Sequence, residues 1–192
     1  MKRYLLLIIL ALFFSSNALS KTRIFTSRYD PYFRKYSKQY FGVGFDWRWF
    51  KAQAIAESDL REKVESWCKA KGLMQLLPST FEELCNRYPE LKKNIYDPRW
   101  NIAAGIRYDR DLWKKWRAER PFEDRLSFTF GSYNAGFGTL LRAQKVCKER
   151  GLDENYWRSI ESVAPEVRGW RHQETLGYVK KIKKFVDDVS PR

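Results

Sequence analysis

The chain has one histidine, His172, together with three cysteines and two methionines among its 192 residues. A single imidazole makes any Ser-His-Asp or Cys-His hydrolase hang on His172 alone. The spacing of Cys68, Cys85 and Cys147 does not suit a zinc site. Three cysteines allow one disulfide, and three pairings are open, each leaving a thiol over. A bridge between Cys68 and Cys85 would close a loop around residues 72–75. Repeats, low-complexity tracts and a Pro/Gly-rich linker are all lacking, so a single domain is expected. No run of alternating strand residues stands out. Past the N-terminus, no stretch approaches the ~20 apolar residues of a membrane span.

Acidic residues are also in short supply, with 23 against 37 Lys and Arg, for a net charge of +14. Such a chain is drawn to polyanions: nucleic acid, anionic lipid or carboxylate-bearing wall peptides. No zinc-finger or RNA-binding signature appears, and the N-terminus points away from nucleic acid. Lys2 and Arg3 precede an apolar run from Tyr4 to Phe14, and Ser15 to Ser20 is small and polar, with Ala18 and Ser20 placed for cleavage after Ser20. Residues 1–20 therefore read as a secretory signal peptide, with an uncleaved signal anchor as the alternative, and residues 21–192 as the domain. No cysteine follows the apolar run, so a lipoprotein is not expected. The protein is expected outside the cytoplasm, periplasmic or secreted, where peripheral contact with anionic envelope surfaces is compatible with its charge.

The patterns that are present are helical. Asp46 is placed to cap a helix from Trp47 to about Leu60, in which Trp47, Phe50, Ala54 and Glu57 share a face. Residues 61–71 read as a polar loop. Pro78-Ser79-Thr80 opens a helix through Leu84. Asp97-Pro98, an N-cap followed by proline at the first helical position, leads another through Ile102, Ile106, Trp113 and Trp116. Leu126 to Phe130 begins an apolar helix that is expected to stop in the glycine-rich region Gly131–Gly138. Glu174 to Val189 closes the chain. The fold class is mainly α.

Three short segments carry the chemistry: Ala56-Glu57-Ser58, then Gly72-Leu73-Met74-Gln75, and far downstream Ser132-Tyr133-Asn134-Ala135-Gly136. A helix-borne glutamate, a glycine-led turn with an amide side chain and a Tyr-Asn pair are the parts needed to hold a sugar chain and protonate one of its bonds. Glycosidic cleavage needs a proton on the leaving oxygen and support for an oxocarbenium-like centre. A free glutamate with a pKa of about 4.3 is protonated in roughly one molecule in 500 at pH 7, whereas a pKa of about 6 gives roughly one in ten. An apolar helix face desolvates a carboxylate and moves it that way. Glu57 lies on such a face; Glu62 and Glu65, in the polar loop, do not. Taken singly, these residues also have plainer readings. Glu57 is then a helix-end acid bonded to a neighbour, Gly72 and Gly136 are ordinary turns, Met74 is core, and Tyr133 and Tyr178 are half-buried aromatics.

Together and in order, the segments resemble the catalytic domain of the lytic transglycosylases, relatives of goose-type lysozyme. The pattern runs Glu57-Ser58, Ser66-Trp67, Gly72 to Gln75 and Tyr133 to Gly136. Asn94 to Pro98 with Asn101, Ile102 and Gly105 is similar to the family's middle helix, and Glu174-Thr175 with Tyr178-Val179 to its closing motif. The similarity covers roughly Tyr29 to Phe185 and is nearest in character to the catalytic part of the type-F membrane-bound enzymes. It implies a lysozyme-like fold and cleavage of peptidoglycan glycan strands between N-acetylmuramic acid and N-acetylglucosamine, with no metal or cofactor.

Position by position, the resemblance makes Glu57 the sole acid/base and Ser58 a local hydrogen-bonder. Ser66 would orient an acetamido group, Gly72 would allow a tight turn, and Met74 and Gln75 would line the glycan groove. Tyr133 and Asn134 would stand across from the acid, Tyr178 would approach it from the last helix, and Glu174 would be a buried structural glutamate. Two departures stand out: Trp67-Cys68-Lys69-Ala70-Lys71 replaces small residues and a glycine, and Ser132 replaces a commoner alanine. A hydrolytic muramidase and a non-catalytic wall-binding module remain the alternatives.

Overall fold

The computed structural model describes residues 26–92 and 94–189; the expected signal peptide at residues 1–20 lies outside them. Eight α-helices account for most of this part: α1 (Asp30–Phe41), α2 (Arg48–Ser58), α3 (Pro78–Arg87), α4 (Pro98–Lys115), α5 (Phe122–Ala135), α6 (Phe137–Glu149), α7 (Trp157–Val163) and α8 (His172–Asp188), with a 3₁₀ turn at Ala164–Glu166. Among the described residues the only extended pairings are isolated bridges, Glu65 with Lys71 and Lys71 with Leu76. None of the described helices is long and apolar enough to cross a membrane.

Helix α4 is the centre of the fold. Asp97 caps it, its carboxylate accepting from Arg99 N at 2.9 Å and Trp100 N at 3.4 Å. Such a cap is worth about 1 kcal/mol. Pro98 sits where the missing N–H costs nothing, and Lys114 and Lys115 in the last turn suit its C-terminal dipole. Helix α1 packs along one side of α4 and α5 along another, while α8 lies against both α2 and α5. Phe33, Phe50, Met74, Ile102, Ile106 and Phe128 are sealed within this arrangement at 0% exposure. Burying side chains of this kind contributes roughly 1.5–3 kcal/mol each.

Some of the expected features need correction. Helix α2 stops at Ser58 rather than Leu60, because Asp59 and Leu60 both take left-handed backbone, φ 54° and 55°. The apolar helix stops in the expected Gly131–Gly138 region, at Ala135, and runs straight through Gly131. That glycine lies inside α5 under the Trp157 indole, which an added Cβ would meet at 2.7 Å. The break falls at Gly136, φ 85°, and α6 begins one residue later. Helices α1, α6 and α7 were not anticipated from the pattern. The Cys68–Cys85 bridge is also absent: Cys68 Sγ lies 3.1 Å from Ser66 Oγ in an exposed loop, whereas Cys85 on α3 and Cys147 on α6 face the interior.

Candidate active site

The last turn of α2 sets the site. Its apolar face packs on α8, and Glu57 comes to the edge of that contact, half-buried. Tyr178, in the N-terminal half of α8 and 8% exposed, donates its hydroxyl proton to Glu57 Oε1 at 2.6 Å. Lys181 Nζ, one turn on from Tyr178's neighbours, reaches Ala56 O at 3.3 Å. Protein packed about the Glu57 carboxyl desolvates it and raises its pKa from 4.5 to about 7. The Tyr178 hydrogen bond and the Lys181 charge oppose that shift, and the Glu174 charge adds to it. At pH 7 such a group is protonated in about half of the molecules. Burial holds the Tyr178 and Tyr133 hydroxyls well above the ordinary tyrosine range, with the Glu57 charge acting in the same direction. Both stay neutral donors.

The turn beneath Glu57 is fixed by backbone bonds and by one asparagine. Ser58 Oγ is 2.8 Å from Leu73 O and 3.1 Å from Ala54 O, so its proton ties the end of α2 to the Gly72–Gln75 turn. Gly72 adopts φ 77°, and a Cβ there would sit 2.5 Å from Asn101 Nδ2; only glycine suits both conditions. Asn101, 1% exposed, accepts from Met74 N at 2.7 Å and donates to Lys71 O at 3.1 Å and Ile95 O at 2.8 Å. Tyr133, at the end of α5, donates to Met74 O at 2.7 Å, with its ring 5.2 Å from that of Tyr108. Glu57, Ser58, the turn, Tyr133 and Tyr178 are thus one connected assembly.

The other expected residues stand differently. Met74 does not line a groove with its side chain: at 0% exposure it fills the space over Gly105, and only its backbone faces the site residues. Gln75 spends its amide N–H groups on Gly72 O within the turn at 2.9 Å and on Val64 O in the preceding loop at 3.2 Å, and holds a left-handed φ of 44°. Glu174 is not buried. It stands exposed in the first turn of α8, paired with Arg171 at 3.0 Å. A carboxylate at a helix N-terminus has no need of a buried partner. Asn134 is exposed and accepts from Thr175 Oγ1 at 2.8 Å, which links α5 to α8. Ser66 Oγ accepts from Ala70 N at 3.0 Å and shapes its own loop. The structure places no Ser66 contact on Glu57. Among the described residues no group of three or more His, Cys, Asp or Glu side chains is arranged to hold a metal ion.

Three neighbours of these residues are not singled out by the sequence pattern: Asn101 as the brace of the turn, and Gln53 with Asp109, whose carboxyl feels the Glu57 charge. Asp109 continues the Ile102, Ile106 stripe of α4, and Gln53 lies one turn before Glu57 on α2. A polar residue on an apolar stripe was the signal that picked out Glu57, and it was present here as well.

The chain matches the family described as "Transglycosylase SLT domain" over residues 31–155. A membrane-bound lytic murein transglycosylase F from Desulfosudis oleivorans is 32% identical over 162 residues, covering 82% of this chain and 34% of the relative. One from Shewanella sediminis is 29% identical over 181 residues, covering 88% of this chain and 36% of the relative. The chain therefore spans about a third of the length of the curated relatives it matches. Among solved structures, the 70 kDa soluble lytic transglycosylase of Escherichia coli superposes with a TM-score of 0.61 at 25% identity, covering 84% of this chain and 24% of that one. The mainly helical, lysozyme-like fold expected from the sequence is the fold observed.

Proposed function

The chain belongs to the transglycosylase SLT domain family, and from that premise we propose that it is a lytic transglycosylase acting on peptidoglycan glycan strands. The observation that carries this reading is the Glu57 carboxyl, desolvated to a pKa of about 7 and held by Tyr178 at 2.6 Å. A group poised near the working pH serves equally as acid and as base.

In the first step Glu57 gives its proton to the oxygen between N-acetylmuramic acid and N-acetylglucosamine, and the C1–O bond breaks. The carbonyl oxygen of the muramic acetamido group closes on C1, so no nucleophilic carboxylate is required. In the second step the Glu57 carboxylate takes the proton from the C6 hydroxyl. O6 bonds to C1, the acetamido bond opens, and a 1,6-anhydro end results with Glu57 protonated again. No water is consumed. Tyr178 acts on both steps, because its hydrogen bond is strongest when Glu57 is charged. Tyr133 holds the backbone of the turn that faces the acid. Residues 1–20 would export the protein to this substrate, and its positive charge would favour the anionic wall.

The test is Glu57→Gln, which keeps size and hydrogen bonding but carries no transferable proton. Loss of one acid–base group typically costs 10²–10⁴-fold; a group serving both proton transfers should lie at or above the top of that range. Release of soluble muropeptides from purified sacculi should vanish while circular dichroism and sedimentation with sacculi persist. A folded Glu57→Gln protein that releases muropeptides at near the native rate overturns the assignment.

A further inference from the structure

Asp109 is a carboxyl that the proposed reaction does not use, and it is more completely enclosed than Glu57. It lies on α4 at 0% exposure, and its Oδ1 accepts from Gln53 Nε2 at 3.2 Å. Gln53 is also at 0% exposure, one helical turn before Glu57 on α2. Each partner has one further buried oxygen, Asp109 Oδ2 and Gln53 Oε1, and neither oxygen has a hydrogen-bond partner. Two leftover acceptors on an acid and an amide that already share one hydrogen bond are a single proton short of a complete set. A proton on Oδ2 turns that atom into a donor and gives Gln53 Oε1 its bond. An ionised Asp109 leaves both oxygens unsatisfied and buries an anion without a cation.

The titratable groups coupled to Asp109 are Glu57 on α2, Tyr108 on α4 itself, Tyr133 on α5 and Tyr178 on α8, all of them acids. None supplies a positive charge, and burial pushes Asp109 well above the usual carboxylate range.

We propose that Asp109 is a neutral carboxylic acid hydrogen-bonded twice to Gln53, and that the pair is a positioning element for Glu57. It ties the Glu57-bearing part of α2 to the central helix and leaves Glu57 the one carboxyl in the site that changes charge. Only the second half of this statement rests on Glu57 being the working acid. The amide is the natural partner because glutamine offers one donor and one acceptor side by side, matching a protonated carboxyl and no other state of it.

Infrared difference spectra of the full chain decide the protonation state without any activity. In Glu57→Gln protein at about pH 7.5, ordinary carboxylates with pKa values near 4 are ionised, so a surviving carboxylic-acid carbonyl band should be present and should disappear on adding Asp109→Asn. Absence of the band overturns the proposal. With Glu57 intact, Asp109→Asn presents an amide N–H where the acid has its O–H, so the alkaline limb of the pH–rate profile should stay at the native pH. A downward move of about one unit would mean an ionised Asp109 and would also overturn it. Asp109→Leu strands the Gln53 amide. It should lower kcat by about tenfold or more with KM little changed, as small misplacements of a catalytic group do; a native kcat in this variant counts against positioning. If no form of the protein is active, the proposed function has failed, while the infrared band still decides the state of Asp109.

Discussion

Replacing Tyr178 by phenylalanine removes the one hydrogen bond that lowers the Glu57 pKa and keeps the ring that packs against α2. The bond is short, 2.6 Å, and is made to a group that is charged in one of its two states. Hydrogen bonds to charged groups contribute about 1.5–3 kcal/mol, and one pKa unit corresponds to about 1.4 kcal/mol. Its loss should therefore raise Glu57 by about one to two units from its native value of about 7. Because the first step needs the protonated acid, activity falls on the alkaline side as Glu57 ionises. That limb should move from near pH 7 to about pH 8–9 in Tyr178→Phe. Near pH 8 the native protein would keep roughly a tenth of its plateau, and the variant half or more. The assay is the initial rate of muropeptide release at low substrate, each protein normalised to its own acid-side plateau, so that any loss of substrate contact by the hydroxyl cancels. An unmoved limb, or one shifted to lower pH, would refute the claim that Tyr178 stabilises the charged form of Glu57.

Glu57→Gln should be more stable than the native chain above pH 7. The folded pKa of about 7 exceeds the ordinary 4.5, so the carboxyl's stability contribution is complete below about pH 4.5 and is lost as pH rises through about 7. The gain near pH 8 is up to about 3 kcal/mol, less whatever surface water screens, and thermal melts at pH 5 and pH 8 should show a difference only at the higher value. Asn101→Ala leaves Met74 N–H and Ile95 O without the Asn101 amide and takes from Lys71 O one of its two donors, the other being Leu76 N at 3.1 Å. It should cost about 3 kcal/mol by urea unfolding and lower activity along with stability. Glu174→Gln removes an exposed charge that raises the Glu57 pKa. It should shift the alkaline limb down by a fraction of a unit and change stability by less than about 0.5 kcal/mol, which a pH profile and a melt would establish together.

Much of this arrangement was legible in the sequence, for identifiable reasons. Glu57 falls on the apolar side of its helix because Phe50 and Ala54 precede it at helical spacing, and Asp97-Pro98 marks a helix start through two independent local signals. Helix α6 was hidden because it begins at Phe137, inside the Gly131–Gly138 region that reads as the end of a helix. In the structure Gly131 is small so that Trp157 can pack on it, and Gly136 alone turns the chain. Sequence-local patterns carry no depth. Met74, set in a motif that resembles a groove lining, is in fact sealed over Gly105, and Glu174, expected inside, is exposed. The contacts that complete the site join residues far apart in the chain, Glu57 to Tyr178 across 121 positions and Met74 to Tyr133 across 59. Only the packing of α8 on α2 and of α5 on α4 brings them together.

The central claim, that Glu57 drives an intramolecular ring closure instead of admitting water, is tested most directly by digesting purified sacculi in heavy-oxygen water. The account predicts that the native protein releases muropeptides with 1,6-anhydro ends that carry no solvent oxygen. Release of reducing ends with heavy oxygen at C1 would contradict it and make the protein a hydrolytic muramidase.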